Sequence, residues 1–85
     1  MSRQVYEDGM HVIAWDDDGD THEFSVTDCE GGIIKEYRTE DADAAQDLWE
    51  KLCCLMDYNP EELGMFRLRE SCGRGIARHI EILVE

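Results

Sequence analysis

Four carboxylates crowd into five residues at Asp16-Asp17-Asp18-Gly19-Asp20. Three chemistries are open to such a run: a calcium site, an acid–base pair, or a surface of fixed negative charge. A calcium loop of the EF-hand kind needs acids at alternate positions, a glycine sixth and a bidentate glutamate twelfth, between two helices. Here the glycine comes fourth and the flanks read as strands, so the run reads as a solvated hairpin tip with at most weak divalent affinity. Acid–base work needs a pocket that separates two carboxyl pKa values, and nothing beside this run suggests one. Fixed charge remains, and a second set of acids supports it. Asp43, Asp47, Glu50 and Asp57, with Cys54 among them, follow steps of 4, 3, 4 and 3. On a helix these lie on one side, about 5–6 Å apart, close to the phosphate spacing along one strand of nucleic acid.

The remaining reactive residues carry less. Cys53 and Cys54 are adjacent, Cys29 and Cys72 are isolated, and no C-x-x-C occurs. With His11, His22 and His79 far apart, this is no metal-ligand pattern, and the cysteines read as reduced thiols. Acids near Cys54 and Cys72 oppose thiolate formation and nucleophilic use. His11 and His22 fall on an apolar strand face, which predicts satisfied, partly buried imidazoles. No nucleophile motif or phosphate-binding loop is present, and Gly31-Gly32 and Gly73-Arg74-Gly75 read as turns. Arg67, Arg69, Arg74 and Arg78 are too few to hold a phosphate backbone.

Charge is the dominant property. Twenty-one acids against eight bases give a net of −13 over 85 residues, and residues 1–62 alone carry −14. A surface of this kind repels nucleic acid and favours a basic partner. Its bland explanation is solubility alone. The opening residues lack an apolar signal core, and no apolar run approaches the ~20 residues of a spanning helix. A cytoplasmic location is therefore expected.

The elements that position these residues can be read from periodicity. Eighty-five residues with 42% hydrophobic content predict one domain with a small core. Asp18-Gly19 marks a hairpin, since a type I′ turn needs positive φ at both central residues. Placing that pair at the tip sets Trp15 opposite His22, Ile13 opposite Phe24 and His11 opposite Val26, all on the core face. A second hairpin turns at Glu30-Gly31 or Gly31-Gly32, and either choice puts Ile33 and Tyr37 on the same face. An opening strand near Gln4–Glu7 carries a weaker signal. Thr39 then serves as N-cap to a helix with acids in its first turn. That helix buries Ala45, Leu48, Trp49, Leu52 and Met56 and ends at Asn59-Pro60. Residues 61–71 read equally as a second helix stopped near Gly73 or as a strand over Met65–Arg69. Alternation at Ile76, Ile80, Ile82 and Val84 predicts a final strand.

This layout resembles the small phage-encoded anti-CRISPR proteins that bind type I surveillance complexes. The similarity runs over about residues 10–52: Val12-Ile13-Ala14-Trp15-Asp16-Asp17-Asp18-Gly19-Asp20 through Phe24-Ser25-Val26, then Gly31-Gly32, and Glu40-Asp41-Ala42-Asp43 leading to Leu48-Trp49. The resemblance implies an inhibitor acting in an infected bacterium, without cofactor or catalysis. It would occupy the basic surface where a guide-loaded complex receives target DNA.

The expectation is therefore an α+β domain. It has an antiparallel sheet of about four strands, one long amphipathic helix packed on one face, and room for a second short helix. The expected function is stoichiometric binding to a basic protein or nucleoprotein complex through Asp16, Asp17, Asp18, Asp20, Asp43, Asp47, Glu50 and Asp57. No cofactor, metal, membrane or direct nucleic-acid contact is expected. The alternative is a small accessory subunit whose acidic surface serves solubility only.

Overall fold

A computed structural model describes residues 2–84. Among them five strands form one antiparallel sheet in sequence order: β1 (Ser2–Glu7), β2 (His11–Asp17), β3 (His22–Asp28), β4 (Ile33–Thr39) and β5 (Ile80–Val84). Between β4 and β5 the chain forms α1 (Ala42–Tyr58), a 3-10 turn (Pro60–Gly64) and α2 (Leu68–Ala77). The sheet thus has one strand more than the four expected, because the weak opening segment and the terminal one both pair. Residues 61–64 belong to the 3-10 turn and 68–71 to α2, with an irregular bend at 65–67 between them and no strand. Ile76 belongs to α2, and the final strand begins only at Ile80.

Period-two alternation divides the sheet into two faces. Gln4, Trp15, Phe24, Tyr37 and Ile82 form one cross-strand row, and Tyr6, Ile13, Val26 and Lys35 form the next. The helices cover this face. Ile13, Val26, Leu48 and Leu52 are fully buried, and Trp15, Phe24, Tyr37, Ala45 and Met56 nearly so. Trp15 is the centre of a ring cluster, with Phe24 at 5.3 Å and Trp49 at 5.8 Å between centroids. The opposite face carries no helix. Its end row runs Arg3, Asp16, Glu23, Arg38 and Glu81, with each arginine beside an acid.

Two registers depart from expectation. In the β2–β3 hairpin Trp15 lies opposite Phe24 and Ile13 opposite Val26, and Asp17 takes the place opposite His22. The shift is two residues, so every side chain keeps its face while the loop lengthens to 18–21. Only Gly19 has positive φ there, at 102°, which excludes a type I′ turn. In β4 a bulge opposite Val26/Thr27 leaves Ile34 as the extra residue. Ile33 therefore pairs with Thr27 on the uncovered face and is 55% exposed, while Ile34 packs against the core.

The helix cap also moves. Asp41, not Thr39, accepts the amides of Asp43 and Ala44 at 2.9 and 3.1 Å. Thr39 is buried and has another task. Its hydroxyl donates to the His79 carbonyl at 2.7 Å and accepts the Asp41 amide at 3.1 Å, tying the end of β4 to the entry of β5. α2 is interrupted at Gly73, whose φ of 78° and ψ of 161° are not helical. A glycine tolerates that conformation, and the chain resumes its helical course beyond it.

Candidate functional site: an acidic end of the sheet

Each meander hairpin is opened by an aspartate whose carboxylate closes its own turn. Asp8 Oδ1 accepts the Met10 and His11 amides, both at 2.8 Å. Asp18 Oδ1 accepts Asp20 and Thr21 at 3.1 and 2.7 Å. Asp28 Oδ1 accepts Glu30 and Gly32 at 2.9 and 2.8 Å. This is the Asx-turn chemistry that lets aspartate replace a backbone acceptor. The backbone amides hold the Asp8 and Asp18 carboxyls below the ordinary aspartate range, because they bond the charged form. The sequence reading missed this role, although Asp8-Gly9 carries the same signal as Asp18-Gly19.

The expected acids are therefore not equivalent. Asp16 is bound by Arg3, whose Nη1 lies 2.8 Å from both carboxylate oxygens. Asp17 accepts the Gly19 amide at 2.8 Å and lies 3.8 Å from His22 Nδ1. That nitrogen accepts the Trp15 indole N–H at 3.1 Å, so His22 is a satisfied, buried imidazole carrying its proton on Nε2. Asp18 builds the turn. Asp20 alone in this group is fully exposed with its carboxylate unengaged among the described residues.

The helical row is also divided. Asp43 and Glu50 are exposed, and Glu50 accepts Gln46 Nε2 at 3.3 Å. Asp57 turns toward β1, where it accepts the Tyr6 hydroxyl and pushes that phenol's pKa up. Asp47 turns the other way, toward α2. It is half-buried, and its Oδ2 lacks a hydrogen-bond partner among the described residues. Burial, then the Asp47 carboxylate, pushes the Cys72 thiol up to about 12. An unbroken solvent row of acids along α1 is thus absent, because the helix is gripped on both flanks.

What the fold does bring together is one end of the sheet. The β2–β3 tip, the β4–α1 corner and the α1 N-terminus meet there. Thr21 of the tip lines a cavity of about 680 Å³ with Glu40 and Asp41. Asp16, Asp17 and Asp18 line the neighbouring hollow of about 470 Å³. Asp20, Glu40 and Asp43 are exposed there and form no ion pair among the described residues. Glu40 escaped the sequence reading because only the β4–α1 corner places it beside the tip.

No group of three or more potential metal ligands occurs among the described residues. All four cysteines are free thiols. No helix is long and apolar enough to cross a membrane. Comparison with known protein families, characterised proteins and solved structures finds no match.

Proposed function

We propose that this chain is a non-catalytic binding protein that presents the acidic end of its sheet to a basic surface on a protein or nucleoprotein complex. Asp20, Glu40 and Asp43 make the approach. Asp17, Asp18 and Asp41 hold the turn and the helix end that carry them. The observation that supports this reading is that tip and corner line one cavity, beside which Asp20, Glu40 and Asp43 are exposed without a salt bridge among the described residues. Charge held in place on a firm scaffold steers encounter and fixes orientation. At the tip itself, the turn amides hold the Asp18 carboxyl below the ordinary aspartate range, so the turn that carries Asp20 is anchored by a charged group.

The resemblance to anti-CRISPR proteins names the finer form of this proposal. The basic surface would be the channel in which a type I surveillance complex receives target DNA, and the acidic end would stand in for phosphates. The test is competition. A partner held by the wild-type chain should be released by duplex DNA and by salt, and the triple variant D20K/E40K/D43K should fail to hold it. Release by neither would remove the mimicry.

A second reading, an accessory subunit gripped through apolar surface, draws on the uncovered sheet face. There Val5, Ile33 and Val84 are 51%, 55% and 38% exposed. Binding of that kind would survive salt and be lost in V5S/I33S.

A further inference from the structure

A chain with 21 acids and eight bases has every opportunity to neutralise its cations. Arg3 and Arg38 are so used, with Asp16 at 2.8 Å and Glu81 at 2.7 Å. Lys35, Arg67 and Arg69 are not: none forms an ion pair among the described residues. These three lie far apart in sequence, yet they line one groove of about 820 Å³ between the β4–β5 edge and the segment leading from the 3-10 turn into α2. Glu70 is the only acid on that lining, so the groove is cationic on a strongly anionic molecule.

Lys35 is the unusual member. It projects from the helix-covered face of β4, two residues from Tyr37, and is only 7% exposed. Its stem is covered while its ammonium opens onto the groove, and no carboxylate among the described residues pairs with it. The groove's exposed apolar surface comes from Met65 and Ile82, 70% and 45% exposed, with Tyr37 and Phe66 buried behind them. A groove of this volume with mainly apolar walls and few placed charges has the character of a small-molecule site.

We propose that this groove binds a small amphiphilic anion, a single carboxylate or phosphate head on an apolar body. The head meets the Lys35 ammonium together with Arg67 and Arg69, and the body lies against Met65 and Ile82. The two arginines offer planar donors that match either head group. Three cations around one hollow fit one anionic head and not a phosphate backbone, which must be neutralised at many points. This site is distinct from the acidic end and does not depend on its function.

The test is a titration of the labelled whole chain, followed by amide resonances, with decanoate, decyl phosphate, decanol and inorganic phosphate. Decanoate or decyl phosphate should shift Lys35, Tyr37, Phe66 and Ile82 saturably with one-to-one stoichiometry, and the stronger of the two names the head group. Decanol and inorganic phosphate should each bind at least about tenfold more weakly, since each lacks half of the ligand. R67A/R69A, at exposed positions, keeps the fold and should weaken binding about tenfold or more. K35M should weaken it likewise while melting no lower, since an apolar side chain suits a buried site. Equal affinity for decanol, shifts scattered away from the groove, or unchanged binding in R67A/R69A would overturn the proposal.

Discussion

Asp41→Ala separates the carboxylates that build this protein from those it leaves free. The Asp41 side chain is the N-cap of α1 and accepts two amides, of Asp43 and Ala44. Truncating such a cap costs about 0.5–2 kcal/mol, and the loss of two acceptor contacts places D41A at about 1–2 kcal/mol. Removing one negative charge beside Glu40 and Asp43 works in the other direction, by a few tenths at an exposed corner. For a domain of this size each kcal/mol moves the melting temperature by about 4–8 °C, so D41A should melt roughly 5–10 °C lower. D41N retains an acceptor oxygen without the charge and should stay within about 0.5 kcal/mol of wild type. E40A, one residue away and outside the cap, should also change stability by less than about 0.5 kcal/mol. Thermal melts by far-UV circular dichroism, at one ionic strength, measure all three. If D41A and E40A melted together, the division of the acids into builders and free charges would be wrong.

Three further outcomes follow from the same geometry. Leu48→Ala empties a fully buried site at a cost of about 2–5 kcal/mol, a large share of the roughly 4–13 kcal/mol available to a domain of this length. Denaturant titration should show the L48A midpoint clearly lowered with an unchanged slope. In pH, the turn bonds of Asp8 and Asp18 contribute stability that is complete above the ordinary aspartate value of 3.8 and is lost as pH falls through their lowered values. The melting temperature should therefore hold from pH 7 down to about 4 and fall as pH drops below the ordinary aspartate value. A melting temperature that fell steadily from pH 7 would contradict this. Finally, Ellman's reagent at pH 8 should label the exposed Cys29 and Cys54 quickly. Cys72, whose thiol is pushed up to about 12 by burial and by the Asp47 carboxylate, should lag well behind them.

Much of the fold was legible because period two and period 3.6 survive errors of register. Shifting the β2–β3 pairing by two residues leaves Ile13, Trp15, Phe24 and Val26 on the face already assigned to the core. The buried stripe of α1 follows its apolar spacing at Ala45, Leu48, Leu52 and Met56, with Ala44 added and Trp49 only partly buried, and its end at Asn59-Pro60 follows from the restriction proline places on its neighbour. The register itself was hidden because Asp18 caps its turn through its side chain, which makes a four-residue loop as favourable as a tight one. The bulge at Ile34 was hidden as well, since nothing local distinguishes Ile33 from Ile34. Thr39 and Asp41 are both good caps by residue type, and only the pull of His79 on Thr39 decides between them.

The site was legible in composition and not in arrangement. Residue type marked Asp16, Asp17, Asp18 and Asp20 as charged, but tertiary partners decide what each does. Arg3 neutralises Asp16, the turn consumes Asp17 and Asp18, Tyr6 takes Asp57, and α2 half-covers Asp47. The partners of Asp16, Asp47 and Asp57 lie many residues away, and helical spacing carries no information about them. Glu40 joins the acidic end, and Lys35 joins Arg67 and Arg69, for the same reason.

The most direct measurement of the central claim is capture from bacterial lysate on immobilised protein, at low and at high salt, with D20K/E40K/D43K alongside. The account predicts that a basic nucleic-acid-binding complex is held at low salt, released at high salt and absent from the variant, while the variant melts within about 0.5 kcal/mol of wild type. Capture that persists in high salt and in the variant would contradict it and would move recognition away from the acidic end.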